Sequence, residues 1–337
     1  MRAKMKLFRL FATIVLSVFG LGFAGLYAWN SVLARQAEAA HPPTGQIVEV
    51  DGLDIHYVES GSGPPLVLMH GINGTVQDFS ETVMDDLARR YRVIAIDRPG
   101  HGYSERADTP MNPAEQAAVV HGLLRRIGVE KPIMVGFSWS GSLVLAYALA
   151  YGDEVAGVVT LAGAAYDWPT PVDMKYRLPA WPVIGDLLVS TLPLPLSTFL
   201  ADASVASAFA PEPVPTSYAR APWRLALRPD SYRANAEDVR LLKPFLRAQS
   251  ARYHEIKVPL VIVTGDADTV VSPTLHSAAL HEAVPHSQAI VLPGAGHPLP
   301  YSHPDTVIDA IDRVHRLATT GQYKTLAADT GGLHQYR

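Results

Sequence analysis

The chain has 337 residues, no cysteine, 18% charged residues and a formal net charge of -4. The absence of cysteine excludes disulfides, thiolate metal sites and a cysteine nucleophile, and so weak and mixed a charge provides no field that would select nucleic acid. The length suits one catalytic domain carrying one sizeable insertion, and the partner to expect is a small, largely uncharged, hydrophobic molecule.

At the N-terminus, Arg2, Lys4, Lys6 and Arg9 precede an uncharged, mostly apolar stretch from Leu10 to Trp29. At 1.5 Å per residue, about 20 helical residues reach ~30 Å, one hydrocarbon core. Tyr27 and Trp29 fall where aromatic rings favour the far interface. Positive charges ahead of the span keep the start cytoplasmic and place the remainder outside. Residues 1–30 therefore read as an uncleaved transmembrane anchor, longer than the ~7–15-residue apolar core of a signal peptide. The alternative is a signal segment cleaved near Ala37-Glu38-Ala39, which leaves the domain secreted or periplasmic. Residues 31–45 are expected to be a linker, closing on His41-Pro42-Pro43.

Strand signals follow. Gln46–Val50 and Asp54–Ser60 flank the turn dipeptide Asp51-Gly52, a hairpin pattern. Short unbroken apolar runs come next, at Leu66–Met69, Val93–Ile96, Ile133–Val135, Val158–Leu161 and Leu260–Val263. Strands covered on both faces read this way. Helix-like segments at Asp78–Arg90, Pro113–Ile127, Trp139–Tyr151 and Pro273–Val284 separate them. This alternation predicts an α/β fold with a doubly wound, mostly parallel sheet and ligands at the carboxyl ends of its strands.

Residues 166 to about 255 break the rhythm, being too long for an ordinary crossover. Their scattered prolines and aromatics are too apolar for a disordered linker, so they are expected to form a helical cap over the site. The tail from Thr319 has few apolar residues and is expected to be loose.

The strongest motif is Val135-Gly136-Phe137-Ser138-Trp139-Ser140-Gly141, where a buried strand runs into Gly-x-Ser-x-Ser and an Ala/Leu-rich helix. A nucleophile elbow needs this strand–turn–helix context, with small residues around the serine. A serine hydroxyl also needs a base to take its proton and a third group to orient that base. Among thirteen histidines, His297 ends a strand followed by a Gly-rich loop, Pro293-Gly294-Ala295-Gly296. His276, His281 and His286 fall on or just after a helix-like segment and are expected at the surface; His70 is expected to be structural. Metal binding has no motif to support it, and no cofactor loop is present.

On these residues the chain, from about 46 to 318, resembles the α/β-hydrolase superfamily of serine hydrolases with a cap insertion. It departs at Ser140, where the family usually has glycine, and at Phe137, where many members have histidine. The resemblance implies the order Ser138, acid, His297. It nominates Asp268, in Gly265-Asp266-Ala267-Asp268, as the acid; a minority pattern places the acid after the preceding strand and would nominate Asp167. It further implies an oxyanion hole from the backbone N–H groups of Ile72, in His70-Gly71-Ile72, and Trp139. Asp97-Arg98-Pro99-Gly100-His101-Gly102-Tyr103-Ser104 also resembles the family and is expected to be structural.

Relatives of this layout that cleave epoxides or haloalkanes use an aspartate nucleophile where this chain has Ser138. The activity expected is therefore hydrolysis of a hydrophobic ester or lactone through an acyl-enzyme. The alternatives are a C–C bond hydrolase of a β-diketone-like substrate and a non-catalytic, membrane-tethered binding module.

Overall fold

The computed structural model describes residues 2–220 and 222–323. Its centre is an eight-stranded sheet: β1 (Gln46–Val50), β2 (Leu53–Ser60), β3 (Pro65–Met69), β4 (Arg92–Ile96), β5 (Ile133–Phe137), β6 (Gly157–Leu161), β7 (Leu260–Gly265) and β8 (Gln288–Leu292). The spatial order is β1-β2-β4-β3-β5-β6-β7-β8. The β1–β2 and β2–β4 pairs are antiparallel, and the others are parallel. The hairpin turns at Asp51-Gly52, both with positive φ.

The apolar runs are unbroken because alternate residues feed two different cores. Val67 and Met69 of β3 join one, Leu66 and Leu68 the other; Leu260 and Ile262 of β7 separate from Val261 and Val263 in the same way. Seven longer helices complete the frame: α1 (Arg2–Ala40), α2 (Pro113–Arg126), α3 (Ser140–Ala150), α4 (Ile184–Thr191), α5 (Pro193–Phe209), α6 (Pro229–Gln249) and α7 (Pro304–Thr320). Helices α2 and α3 cover one face of the sheet through Val120, Leu123, Leu143 and Tyr147, while α7 covers the other through Val307, Ile311 and Val314. Asn112 starts α2 with a capping box: its side chain accepts from the amides of Ala114 and Glu115, and the Glu115 carboxylate accepts from the Asn112 amide.

The excursion between β6 and β7 is helical, as expected of a cap: α4, α5 and α6 with single helical turns between them. Leu242 and Leu246 of α6 enter the same core as α2 and α3. The cap is thus welded to the domain along α6.

Four expectations change. Residues 31–40 are not linker but the last turns of α1; only His41–Gly45 is irregular. The sequence Leu33-Ala34-Arg35-Gln36-Ala37-Glu38-Ala39-Ala40 consists of strong helix formers, and Pro42-Pro43 then stops the helix. The segment expected as one helix over Asp78–Arg90 is two single turns, Gln77–Ser80 and Met84–Leu87, separated by β-branched Thr82 and Val83. The segment from Pro273 opens with a widened π turn, Pro273–Ala278, before Ala279–Ala283. Of the tail expected to be loose, Thr319 and Thr320 still belong to α7, and residues 324–337 lie outside the described residues.

Candidate active site

Ser138 sits at the carboxyl end of β5 with φ +55°, a left-handed conformation rare for a side chain of its type. Three hydrogen bonds hold this turn: its amide donates to Leu161 O, and its carbonyl accepts from Gly141 N and Ala164 N, each at 2.9 Å. A Cβ on Gly136 would lie 2.2 Å from the carbonyl oxygen of Ser140, so the elbow closes only with glycine there. Ser140, the departure from the family pattern, is fully buried and donates its hydroxyl to His70 O at 2.5 Å. It ties the elbow to the neighbouring strand end.

His297 Nε2 lies 2.9 Å from Ser138 Oγ, and His297 Nδ1 lies 2.7 Å from Asp268 Oδ2. All three residues are under a tenth exposed. The geometry fits the tautomer in which Nδ1–H donates to Asp268 and Nε2 accepts from the serine. Asp268 Oδ1 accepts from the amides of Val270 (2.8 Å) and Val271 (2.9 Å), which fixes the carboxylate in place. Asp167, the other acid considered, pairs instead with Arg247 at 2.6 Å and Lys243 at 3.4 Å, away from this line. Phe137 packs its ring 5.2 Å from that of His297, so the residue replacing the family's histidine is a wall for the imidazole.

The turn after β3 approaches the serine closely: a Cβ on Gly71 would meet Ser138 Cβ at 2.8 Å. Ile72 is on that turn, and Trp139 follows the serine directly. Among the described residues, neither amide donates to a protein carbonyl.

Sequence reasoning missed what holds this turn in place. Arg98 is fully buried and donates from Nε to His70 O (3.2 Å) and from Nη2 to Gly71 O (3.1 Å). Its charge is met by Asp238 of α6 at 2.5 Å, and its guanidinium stacks 4.2 Å from the Trp139 ring centre. Asn235, also on α6, accepts from the amide of Asn73. His70 bridges the same elements, with Nδ1 on Gly71 O and Nε2 accepting from Arg98 N. Burial and the neighbouring Arg98 cation push its pKa well below the ordinary histidine value, so it stays neutral. Asp97 accepts from His56 Nδ1 and from the amides of Val76 and Tyr103, the structural role expected of that loop.

His276 corrects the surface assignment. It is 5% exposed, and its Nδ1 accepts from the amides of Ala165 and Tyr166, bracing the loop after β6. Desolvation lowers its pKa to about 4. The π turn carries it inward, and helical spacing gave no sign of that.

The cap reaches His297 directly. The amide of His297 donates to Ala208 O at 3.1 Å, and that of Gly296 donates to Glu212 Oε2 at 3.1 Å. The other oxygen of Glu212 lies 2.9 Å from His303 Nε2. Beside this junction Asp78 accepts from the Tyr301 hydroxyl at 3.1 Å, and desolvation raises the carboxyl pKa to about 7. Among the described residues no group of three His, Asp or Glu side chains is arranged to hold a metal ion.

The 2-(acetamidomethylene)succinate hydrolase of Mesorhizobium japonicum is 28% identical over 274 residues, 78% of this chain and 92% of that protein. Among solved structures, a thermophilic esterase from Thermogutta terrifontis superposes with TM-score 0.66 at 21% identity, covering 81% of this chain and 99% of its own. A membrane phospholipase A superposes with TM-score 0.64 at 21% identity, covering 94% of this chain and 99% of its own. A family model described as alpha/beta hydrolase fold matches residues 64–304. The chain belongs to the alpha/beta hydrolase fold family.

Proposed function

We propose that this chain is a serine hydrolase that cleaves an ester or lactone of a hydrophobic small molecule through an acyl-enzyme on Ser138. The observation that carries the reading is the continuous line Ser138–His297–Asp268, with contacts of 2.9 and 2.7 Å. His297 Nε2 takes the Ser138 proton as Oγ attacks the carbonyl carbon, and the imidazolium formed is stabilised by Asp268. The tetrahedral oxyanion receives the Ile72 and Trp139 amides. Such a donor is worth ~2.7–4 kcal/mol of barrier. The C–O bond then breaks, and His297 returns its proton to the leaving alcohol. Water repeats the sequence on the acyl-enzyme, releasing acid and free Ser138.

The N-terminal segment fits an uncleaved anchor with the domain outside the cytoplasm. Residues 4–29 have no buried position, and the first buried residue of α1 is Asn30, one beyond the apolar stretch. Beyond it Ala37 is buried and Glu38 pairs with Arg228 at 2.9 Å, so cleavage near Ala37-Glu38-Ala39 would strip packed turns from the cap.

Hydrolysis of a p-nitrophenyl ester series by the full-length chain tests the activity. The expected result is turnover that Ser138→Ala lowers by about 10³-fold or more with the fold intact. Turnover of dienone acids but of no ester would favour the C–C hydrolase; no turnover and no reaction with an acylating probe would favour a binding module.

A further inference from the structure

The cap carries an apolar surface that the chemistry above leaves unexplained. Among the described residues outside α1, eleven large hydrophobic side chains are exposed, and nine of them lie between residues 174 and 214, Trp181, Ile184, Leu187, Leu196, Phe199 and Leu200 among them. Ile47 and Val270 are the other two. On α4 and α5 apolar side chains face both ways, with Val189 and Leu194 buried beside small polar residues. Thr191 and Ser197 are buried, at 4% and 8% exposure, while Leu187 and Phe199 face outward at 45% and 75%. From Leu178 to Tyr218 there is no lysine or arginine.

This surface is continuous with α1. The anchor packs against both α4 and α5. Trp29 meets Phe199 edge-on at 6.5 Å between ring centres, and Leu194 N donates to Asn30 Oδ1 at 3.4 Å. These contacts begin where the apolar stretch of α1 ends. Helix α1, at 39 residues, is ~58 Å long, against ~30 Å of hydrocarbon, so its last turns stand beside the cap at the membrane surface. Helices α4 and α5 meet at 63°, and neither is long enough to cross alone.

We propose that the α4–α5 face of the cap is seated in the lipid leaflet beside α1, held by apolar burial and not by charge. Extended apolar patches of this kind mark membrane contact on otherwise polar surfaces, and helices with one apolar face lie in the interface plane. The occupant is lipid because the patch continues the surface that α1 presents to hydrocarbon, and because α4 and α5 carry no lysine or arginine to recruit an acidic protein. Helix α5 ends at Phe209, and the segment Ala208–Glu212 holds the His297 loop. The leaflet-facing helix thus runs directly to the His297 loop. This seating rests on the reading of α1 as a span.

The absence of native cysteine makes single labels unique. Full-length Leu16→Cys, Leu187→Cys, Phe199→Cys, Trp181→Cys and Glu130→Cys variants, each carrying a fluorophore, would be reconstituted into phosphatidylcholine nanodiscs. Each would be quenched by nitroxide-bearing lipid and, separately, by aqueous iodide. Leu16 reports the span, and exposed Glu130, at the amino end of β5, reports water. The expected result is several-fold stronger lipid than iodide quenching at 16, 181, 187 and 199, unchanged at high salt, with the reverse at 130. If the cap labels behave like Glu130 while Leu16 is lipid-quenched, the seating is wrong and the anchor stands. If Leu16 is also iodide-quenched, the anchor reading fails with it. Cap labels shielded from both quenchers would mean that protein, a second copy of the chain, covers the face, which also overturns the proposal.

Discussion

Around Ser138, His297 and Asp268 lie residues that yield sharper tests of the geometry. Asp78 is one. Its folded pKa of about 7 lies above the ordinary carboxylate value of 3.8, desolvation being the main cause. Between those two values the folded state binds more protons than the unfolded one, so this group makes stability fall as pH rises from about 4 to 7. Asp78→Asn keeps an acceptor for Tyr301 and removes the charge. The variant should match the parent near pH 4 and exceed it at pH 8 by on the order of 1 kcal/mol or more. Denaturant melts at both pH values check this; equal differences at both would refute the buried charge. Among the site residues, Ser138 was legible because a strand, a glycine and a helix surround it in sequence. His276 was not, because a π turn rotates it away from where helical spacing puts it.

At the scale of elements, the cap is held from two sides. On one side, Asp238 of α6 meets Arg98, both with side chains fully buried. Breaking a buried pair strands a charge and typically costs about 3–5 kcal/mol. Asp238→Ala should therefore lower stability by that order, and urea melts of parent and variant measure it; a loss under 1 kcal/mol would show that Gln116 and the strand-end carbonyls suffice. On the other side, the last turns of α1 pack on α4 and α5. Deleting residues 1–29 removes the apolar stretch and keeps Asn30, Ala37 and Glu38; deleting 1–40 removes them too. The longer truncation should melt several degrees lower, and identical melting temperatures would contradict a packing role for these turns. This element was misread in sequence because helix formers before Pro42-Pro43 carry no apolar period to announce a partner. The central strands were legible for the opposite reason: β3, β4, β5 and β7 each feed two cores, leaving no polar residue to interrupt their apolar runs. The individual cap helices were not, since their prolines sit at helix starts, as Pro193 and Pro229 do, or inside α6 at Pro244, and obscure any helical period.

Across the whole molecule, one chain of contacts links the apolar N-terminal helix to Ser138: α1 to α4 and α5, α5 to the His297 loop, and His297 to Ser138. The composition had already limited the chemistry to residues other than cysteine, and the site falls at the carboxyl ends of β5, β7 and β8, where an open parallel sheet places its ligands. What the sequence left dark is the arrangement of the individual helices within the cap, since their prolines obscure a repeating pattern. All of this turns on Ser138 being a nucleophile activated by His297. The most direct measurement is mass-spectrometric mapping of the adduct left by a fluorophosphonate on the full-length chain. The account predicts one modified peptide, containing Ser138, whose labelling is lost in Ser138→Ala and slowed at least about 10²-fold in His297→Ala. Labelling at another residue, or labelling of Ser138 that is indifferent to His297, would contradict it.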